Sequence, residues 1–468
     1  MHNKFILLGL CLLRRAGAVF HTIDTNEDLQ IGVAFSGLDK DTIFTGGGRS
    51  GETINPEVGA GLLVTRDNGS HWLLEVPGGG AYKNPFPMAV AVASNRGGSG
   101  SSTVCAAGIA SVWCSKDTSS PEATSFVRAP IVTPNGTSGE FADVKWEPGS
   151  DGGSGSSGIF QVTGQFGTEQ NWTNGLAVST DGAASWSLRS VSAATAPTFA
   201  SATPSSTVWY TTAASVPAYD DEETAAAAEA AGALGARAPR ALRRVARFLG
   251  AKKWAELWGR VGANVSGASA ADPPPPAPSA NYVGQVTKTT DGGATWELLL
   301  SNDGGAEGGT NYTFGDVHCF DEETCIVAAN GGCGSSPDNI CDGSQPQNMG
   351  GAVWVTVDGG ASWAETLRDK DDDYTFGFTN LRMVGAREAY AVGGGLERSR
   401  GGGVHAWHTT NVTDPAAWDM TLVTADLAQL SLGMDVDATT GELLINVIQK
   451  DMLCGVVRGF TDDHEAKM

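Results

Sequence analysis

One short phrase recurs four times along the 468 residues: Thr65-Arg-Asp67-Asn-Gly69-Ser-His-Trp72, Ser179-Thr-Asp181-Gly-Ala183-Ala-Ser-Trp186, Thr289-Thr-Asp291-Gly-Gly293-Ala-Thr-Trp296 and Thr356-Val-Asp358-Gly-Gly360-Ala-Ser-Trp363. A repeated unit constrains architecture more than any local propensity does. An alternating apolar run precedes each Asp, as in Gly61-Leu-Leu-Val-Thr65, and a second run follows the Trp, as in Leu73-Leu-Glu-Val76. The phrase therefore reads as a hairpin turn. Asp and Ser/Thr side chains bond nearby turn backbone, Gly supplies positive φ, and Trp gives the return strand an apolar plug.

The pattern S/T-x-D-x-G-x-x-W resembles the Asp-box, or BNR repeat, of sialidases, the sortilin ectodomain, some glycanases and the photosystem II assembly-factor family. The resemblance implies an all-β chain folded as a β-propeller, and length and strand count make it a single seven-bladed one. It also implies that Asp67, Trp72, Asp181, Trp186, Asp291, Trp296, Asp358 and Trp363 are scaffold residues. Propellers grow by adding blades around an axis, so this length needs no second core. The strand pattern gives seven units, with six and eight as the neighbouring counts. The last unit, ending with Cys454–Gly459, is one strand short, and the segment Val19–Asp24 before the first blade is the natural supplier. Closing the ring this way removes exposed sheet edges.

The N-terminus runs from Lys4 through Phe5–Leu13 to Ala16-Gly-Ala18, a signal-peptide pattern that places residues 1–18 as a leader and 19–468 as the propeller. Cysteine spacing agrees with a secreted or luminal compartment. Apart from Cys11 in the leader, Cys105/Cys114, Cys319/Cys325 and Cys333/Cys341 form three close pairs, with Cys454 left over. Six N-x-S/T sequons, at Asn68, Asn135, Asn171, Asn264, Asn311 and Asn411, offer glycosylation sites.

A net charge of −22 argues against nucleic acid, because phosphate binding needs a cationic surface. The exception is local. The insertion 213–280 within the propeller opens on Asp220-Asp-Glu-Glu223, becomes Ala-rich, and reads as helical before ending in Pro273–Pro276. Its stretch Arg237–Arg260 carries eight basic residues against Glu256 alone, and Trp254 and Trp258 suit an interface. A contact with a membrane surface and docking onto the chain's own acidic surface are the two readings of it.

Extra length gathers between second and third strands, at Gly46–Gly59, Gly167–Gly175, Ala213–Ala280, Gly331–Gly350 and Gly393–Gly403. Those loops share one end of a propeller, which marks that end as a binding surface. Ala389-Tyr-Ala-Val-Gly393 and Thr290–Trp296 resemble the photosystem assembly-factor family, which implies a non-catalytic binding or assembly module, here a monomer with a protein or glycan ligand. The alternative is a sialidase-like glycoside hydrolase. Sialidases clamp a carboxylate with three arginines, and Phe126-Val-Arg128-Ala-Pro130 loosely resembles their F-R-I-P motif. Arg49, Arg128, Arg382 and Arg398 are the candidate clamp; no other catalytic residue is singled out. Neither a cofactor nor a metal site is expected: there is no CxxC, P-loop, nucleophile elbow or HExxH, and Asp369–Asp373 lacks the glycine and terminal glutamate of a calcium loop.

Overall fold

The computed structural model describes residues 21–24, 28–35, 41–49, 60–75, 87–93, 103–108, 111–115, 126–129, 131, 139–147, 158–168, 171–194, 198–215, 283–302, 312–331, 351–368, 377–395, 403–424, 428–449 and 454–461. They form seven antiparallel sheets of four strands each. The first sheet is β2 (Asp28–Phe35), β3 (Ile43–Arg49), β4 (Ala60–Thr65) and β5 (Leu73–Glu75); the second is β6 (Pro87–Ala93), β7 (Thr103–Gly108), β8 (Ser111–Ser115) and β9 (Val127–Arg128). The third comprises β10 (Gly139–Glu147), β11 (Ile159–Thr168), β12 (Asn171–Ser179) and β13 (Ser187–Ser190); the fourth β14 (Thr198–Ala202), β15 (Trp209–Ser215), β16 (Val283–Thr289) and β17 (Glu297–Asn302). The fifth holds β18 (Tyr312–Cys319), β19 (Cys325–Gly331), β20 (Gly351–Thr356) and β21 (Ala364–Arg368); the sixth β22 (Phe378–Met383), β23 (Ala389–Gly395), β24 (Gly403–Thr409) and β25 (Trp418–Thr424). In the seventh, β26 (Ala428–Asp437), β27 (Glu442–Gln449) and β28 (Cys454–Gly459) are completed by the N-terminal β1 (His21–Asp24), which pairs with β28.

The first strands of successive sheets touch in an unbroken cycle, β2 to β6, β10, β14, β18, β22, β26 and back to β2. The sheets are thus blades of a propeller whose inner ring is this set of strands. Every inner strand carries a register shift near its start, as between Phe141 and Asp143 in β10 or Ser431 and Gly433 in β26. Such bulges bend a strand and leave a backbone carbonyl unpaired in the ladder. Neighbouring blades meet those carbonyls: Thr163 Oγ1 donates to Phe199 O at 2.9 Å and Thr212 Oγ1 to Gly315 O.

The core is divided among the seams between blades. Phe44, Leu62 and Val64 of the first blade pack on Val104, Ala106 and Trp113 of the second. Cys105, Val112 and Ala129 of the second meet Val144, Phe160 and Val162 of the third, and matching clusters fill the remaining seams. Each repeated-turn Trp enters the seam with the preceding blade: Trp186 packs on the cluster shared by blades two and three, Trp296 on that of three and four, Trp363 on that of four and five, and Trp72 joins Leu444 and Val456 of the last blade. Trp418 of the sixth blade does the same beside Leu367 and Met383.

The helical part of the expected fold class requires correction. The described residues contain no α-helix, and their only helical element is a 3₁₀ turn, Pro415–Ala417. Of the insertion 213–280, Ala213–Ser215 is the end of β15, and the remainder lies outside the described residues, as do the leader 1–18 and Asp369–Asp373. The interval Gly167–Gly175 is not a loop either. β11 and β12 stay paired through it, with Gly167 opposite Trp172 and Thr168 opposite Asn171. Among the described residues, no helix is long and apolar enough to cross a membrane.

Deleting residues 1–24 should strip β28 of its partner and leave an open sheet edge. The truncated protein is expected to self-associate in analytical ultracentrifugation and to unfold at lower temperature than the full chain; a monodisperse product of unchanged stability would show that β1 does not close the ring.

Candidate functional site

The four repeated turns share one hydrogen-bond pattern. Thr65, Ser179, Thr289 and Thr356 each donate a side-chain hydroxyl to the Asp two residues on, at 2.7–2.9 Å. The same hydroxyls accept from the backbone N–H four residues on, at 2.8–3.0 Å. Each Asp Oδ1 then accepts the N–H of the residue before the Trp, at 2.8–2.9 Å. Its Oδ2 meets that residue's side chain: Ser185 Oγ on Asp181 and Thr295 Oγ1 on Asp291 at 2.6 Å, and His71 Nδ1 on Asp67 and Ser362 Oγ on Asp358 at 2.5 Å.

Two successive residues in each turn take positive φ, including Gly359 at 71° and Gly360 at 93°. At Gly360 a Cβ would sit 2.4 Å from Leu299 Cδ1, so glycine is required twice over there. Asn68 and Ala183 adopt the same left-handed region without being glycine. Both oxygens of every Asp are engaged within its own turn, which is a scaffold arrangement. The sixth blade keeps the turn with Asn411 in the Asp place, its N–H bonded to Thr409 Oγ1 at 3.0 Å.

These hydrogen bonds act on the ionised form and hold the Asp67, Asp181 and Asp358 carboxyls at about 2, from an ordinary 3.8, with Asp291 lower still. The bond from the neighbouring side chain is the largest cause, and the backbone N–H comes next. Because the folded value lies below the unfolded one, the stabilisation is complete above about pH 4 and fades toward pH 2.

The residues that come together in the inner ring are different ones. β10 aligns Asp143, Lys145 and Glu147 on one face, and β11 sets Gln161 directly opposite Lys145. Lys145 reaches past the fourth blade to the fifth, where its ammonium pairs with Asp316 Oδ1 and donates to Val317 O at 2.8 Å. Asp143 stands 3.6 Å from the same ammonium. Asp316 Oδ2 accepts from Leu381 N of the sixth blade at 2.8 Å, and His318 Nδ1 accepts from Met383 N at 3.2 Å. Arg382 lies 3.7 Å from Asp435 of the seventh. Glu147 Oε2 accepts from Thr203 N of the fourth at 2.7 Å.

The Lys145 and Asp316 side chains keep only 8% and 7% of their exposure, whereas Asp143, Arg382 and Asp435 keep about a fifth. Burial works against the Lys145 charge, yet Asp316 and Asp143 outweigh it and raise its pKa. Burial raises Asp143 and Glu147, with Lys145 opposing in both cases. His318 is pushed well below its ordinary range by burial, then by Arg382 and Lys145, and is a neutral imidazole. A charged network of this kind links blades three, five, six and seven across the ring.

Of the candidate carboxylate clamp, Arg128 and Arg382 are the arginines whose side chains are described, and these two stand apart. Arg128 is exposed on β9, the outermost strand of the second blade, whereas Arg382 is on β22, the innermost strand of the sixth. Arg49 ends β3 with its side chain outside the described residues, and Arg398 lies outside them altogether. Disulfides join Cys105 to Cys114 and Cys319 to Cys325, each pair facing across neighbouring strands, while Cys333 and Cys341 fall outside the described residues. Asn68 sits in the first repeated turn, where its Oδ1 accepts from Arg458 Nη1 at 2.6 Å, and Asn411 sits in the sixth-blade turn. Asn171 begins β12. Asn135, Asn264 and Asn311 lie outside the described residues. No group of three metal-ligating side chains occurs among those described.

No family model and no curated protein matches the sequence. Solved structures similar in fold include YCF48 bound to a D1 peptide, at 10% identity over 95% of this chain and 94% of that one, with a TM-score of 0.46. A sialidase from Trypanosoma rangeli in complex with 2,3-difluorosialic acid is 11% identical over 97% of this chain and 60% of its own, with a TM-score of 0.38. A GH74 xyloglucanase from Xanthomonas campestris is 13% identical over 92% and 59%, with a TM-score of 0.37. At such identities the likeness concerns the fold alone.

Asp181→Asn should lower the unfolding temperature by a constant amount between neutral pH and about pH 4, and the gap to wild type should close as pH falls to about 2. Lys145→Met, which leaves the buried Asp316 carboxylate without the ammonium it pairs with, should cost about 3–5 kcal/mol in urea unfolding. Adding Asp316→Asn should recover part of that loss.

Proposed function

We propose that the chain is a non-catalytic binding or assembly propeller of a secreted or luminal compartment, and that its ligand is a protein or glycan. The observation that carries this reading is the inequality of the two ends of the ring. The connections 50–59, 216–282, 332–350 and 396–402 all join a second strand to a third and therefore leave the same end. At the other end the repeated turns are held to the adjoining hairpins by backbone bonds, Asn68 N to Asp41 O, Gly292 N to Thr207 O and Gly359 N to Glu323 O, at 2.9–3.0 Å. A rigid base with a variable rim is how loops are commonly presented for recognition. The two disulfides fit an oxidising compartment.

The glycosidase reading is the weaker one, because Arg128 and Arg382 stand on the outer and inner edges of different blades and Arg382 already faces Asp435. A carboxylate clamp needs its guanidinium groups to converge on one point.

The purified protein should leave fluorogenic sialosides intact, and Arg128→Ala should behave as wild type throughout. On glycan arrays and in pull-downs from the extracellular fraction, a variant with 332–350 replaced by a short Gly-Ser turn should keep its unfolding temperature within a few degrees and lose at least tenfold in affinity for whatever the parent binds. Sialoside turnover that disappears in Arg128→Ala would overturn the binding reading.

A further inference from the structure

In the first repeated turn Asn68 occupies the place that Gly182, Gly292 and Gly359 hold in the others, and it takes the same positive φ, 54° against 67–71°. Asn is among the few side chains that tolerate this region, and glycine tolerates it better. The side chain is there for another reason. Arg458 Nη1, from β28 of the last blade, donates to Asn68 Oδ1 at 2.6 Å. Two other turns receive a cation of the preceding blade at the same residue, but through its backbone carbonyl: Arg189 Nε donates to Gly292 O at 3.1 Å and Lys288 Nζ to Gly359 O at 2.6 Å. In the first blade the amide side chain takes over that task.

A guanidinium has donors and no acceptor, so the amide must present its oxygen to Arg458 and turn its nitrogen away. Arg458 is buried and Asn68 is exposed, which leaves Nδ2 on the solvent side of the turn. Among the described residues Nδ2 has no hydrogen-bond partner. Asn68-Gly69-Ser70 is also a sequon. Ser70 is exposed as well, and its hydroxyl donates to Asp67 O at 3.0 Å. The sequon of the sixth-blade turn is less open: Asn411 is half-buried, its Oδ1 accepts from Thr413 Oγ1 at 3.0 Å, and Val412 between them is fully buried.

We propose that Asn68 is an N-glycosylation site whose amide is divided between two tasks: the carbonyl clasps Arg458 across the seam that closes the ring, and the nitrogen carries a glycan into solvent. In the transfer Nδ2 forms a bond to C1 of a sugar carried on a lipid pyrophosphate. The C1–O bond to the pyrophosphate breaks with its electron pair leaving on the oxygen, and Nδ2 gives up one proton to a base of the transferring enzyme. The product is still an amide with its carbonyl intact, so the Arg458 bond survives. A glycan is bulky and polar, and an exposed turn accommodates it. Glycosylation at Asn68 rests on the secreted or luminal compartment proposed above, where the transfer takes place. It places the sugar at the end of the repeated turns, away from the second-to-third-strand connections proposed to meet the ligand.

The full-length chain expressed in eukaryotic cells should be recovered from the medium or the secretory lumen. Peptide-N-glycosidase digestion in heavy-oxygen water, followed by peptide mass spectrometry, should then convert Asn68 to a labelled Asp. Ser70→Ala destroys the sequon but keeps the Asn68 amide. It should run smaller on a gel by one glycan and keep its unfolding temperature within a few degrees, because the Arg458 bond remains. An unmodified Asn68 in a chain that has entered the secretory pathway, or a Ser70→Ala variant of unchanged mass, would overturn the glycan site while leaving the compartment reading in place. A chain retained in the cytosol with Cys105, Cys114, Cys319 and Cys325 as free thiols and every sequon bare would overturn both.

Discussion

Packing between blades is the interaction on which the rest of the structure depends. A four-stranded sheet buries little by itself, and here the large side chains that are fully buried, Phe44, Phe160, Tyr210, Ile326, Phe378 and Tyr390 among them, belong to clusters drawn from two neighbouring blades. Each blade is thus stable only between two others, and the chain of seams must close on itself. Two contacts achieve closure: β1 pairs with β28, and Ile43 and Trp72 of the first blade pack on Leu444 and Val456 of the last. Arg458 adds a polar tie, bonded to both Glu442 oxygens at 2.6 Å and to Asn68 in the first repeated turn.

This arrangement explains why the repeated phrase needs each of its parts. The Ser/Thr–Asp pair sets the backbone of the turn, the glycines admit positive φ, at Gly293 and Gly360 also where a Cβ would collide with the preceding blade, and the turn then delivers a Trp into the preceding seam. The Asp is exposed and the Trp half-buried, so the first acts through geometry and the second through apolar area. Both carboxylate oxygens are occupied inside the turn, so each Asp serves the geometry of the turn itself. The ring has its acidic and basic groups elsewhere, on the first strands of four blades, where they neutralise one another across the axis.

Much of the fold was legible because it rests on local rules. The turn residues, the alternating strands, the strand missing from the last unit and the nearby cysteine pairs Cys105/Cys114 and Cys319/Cys325 all act within a few residues of one another or within one repeat. The site was much less legible. Asp143, Lys145 and Glu147 stand on one face of a strand, a signal present in the sequence, but Asp316, which pairs with Lys145, and Thr203, which bonds Glu147, come from two other blades. No spacing rule relates residues 145 and 316. Nor could sequence order show that Arg128 lies on an outer strand and Arg382 on an inner one.

The sequence by itself determined the unit: which residues turn, which face inward, and which segments could staple or close the ring, since hydrogen-bonding capacity, φ preference and apolar alternation are properties of neighbours along the chain. Only the tertiary structure decided what the units do to each other. Whether a buried Lys finds its carboxylate, whether an arginine is opposed by an Asp, and whether Glu147 meets a backbone N–H of the next blade all depend on groups brought together by packing of blades in the ring. Electrostatic energies in a seam are set by burial and by distances between blades, and neither quantity is written in sequence order.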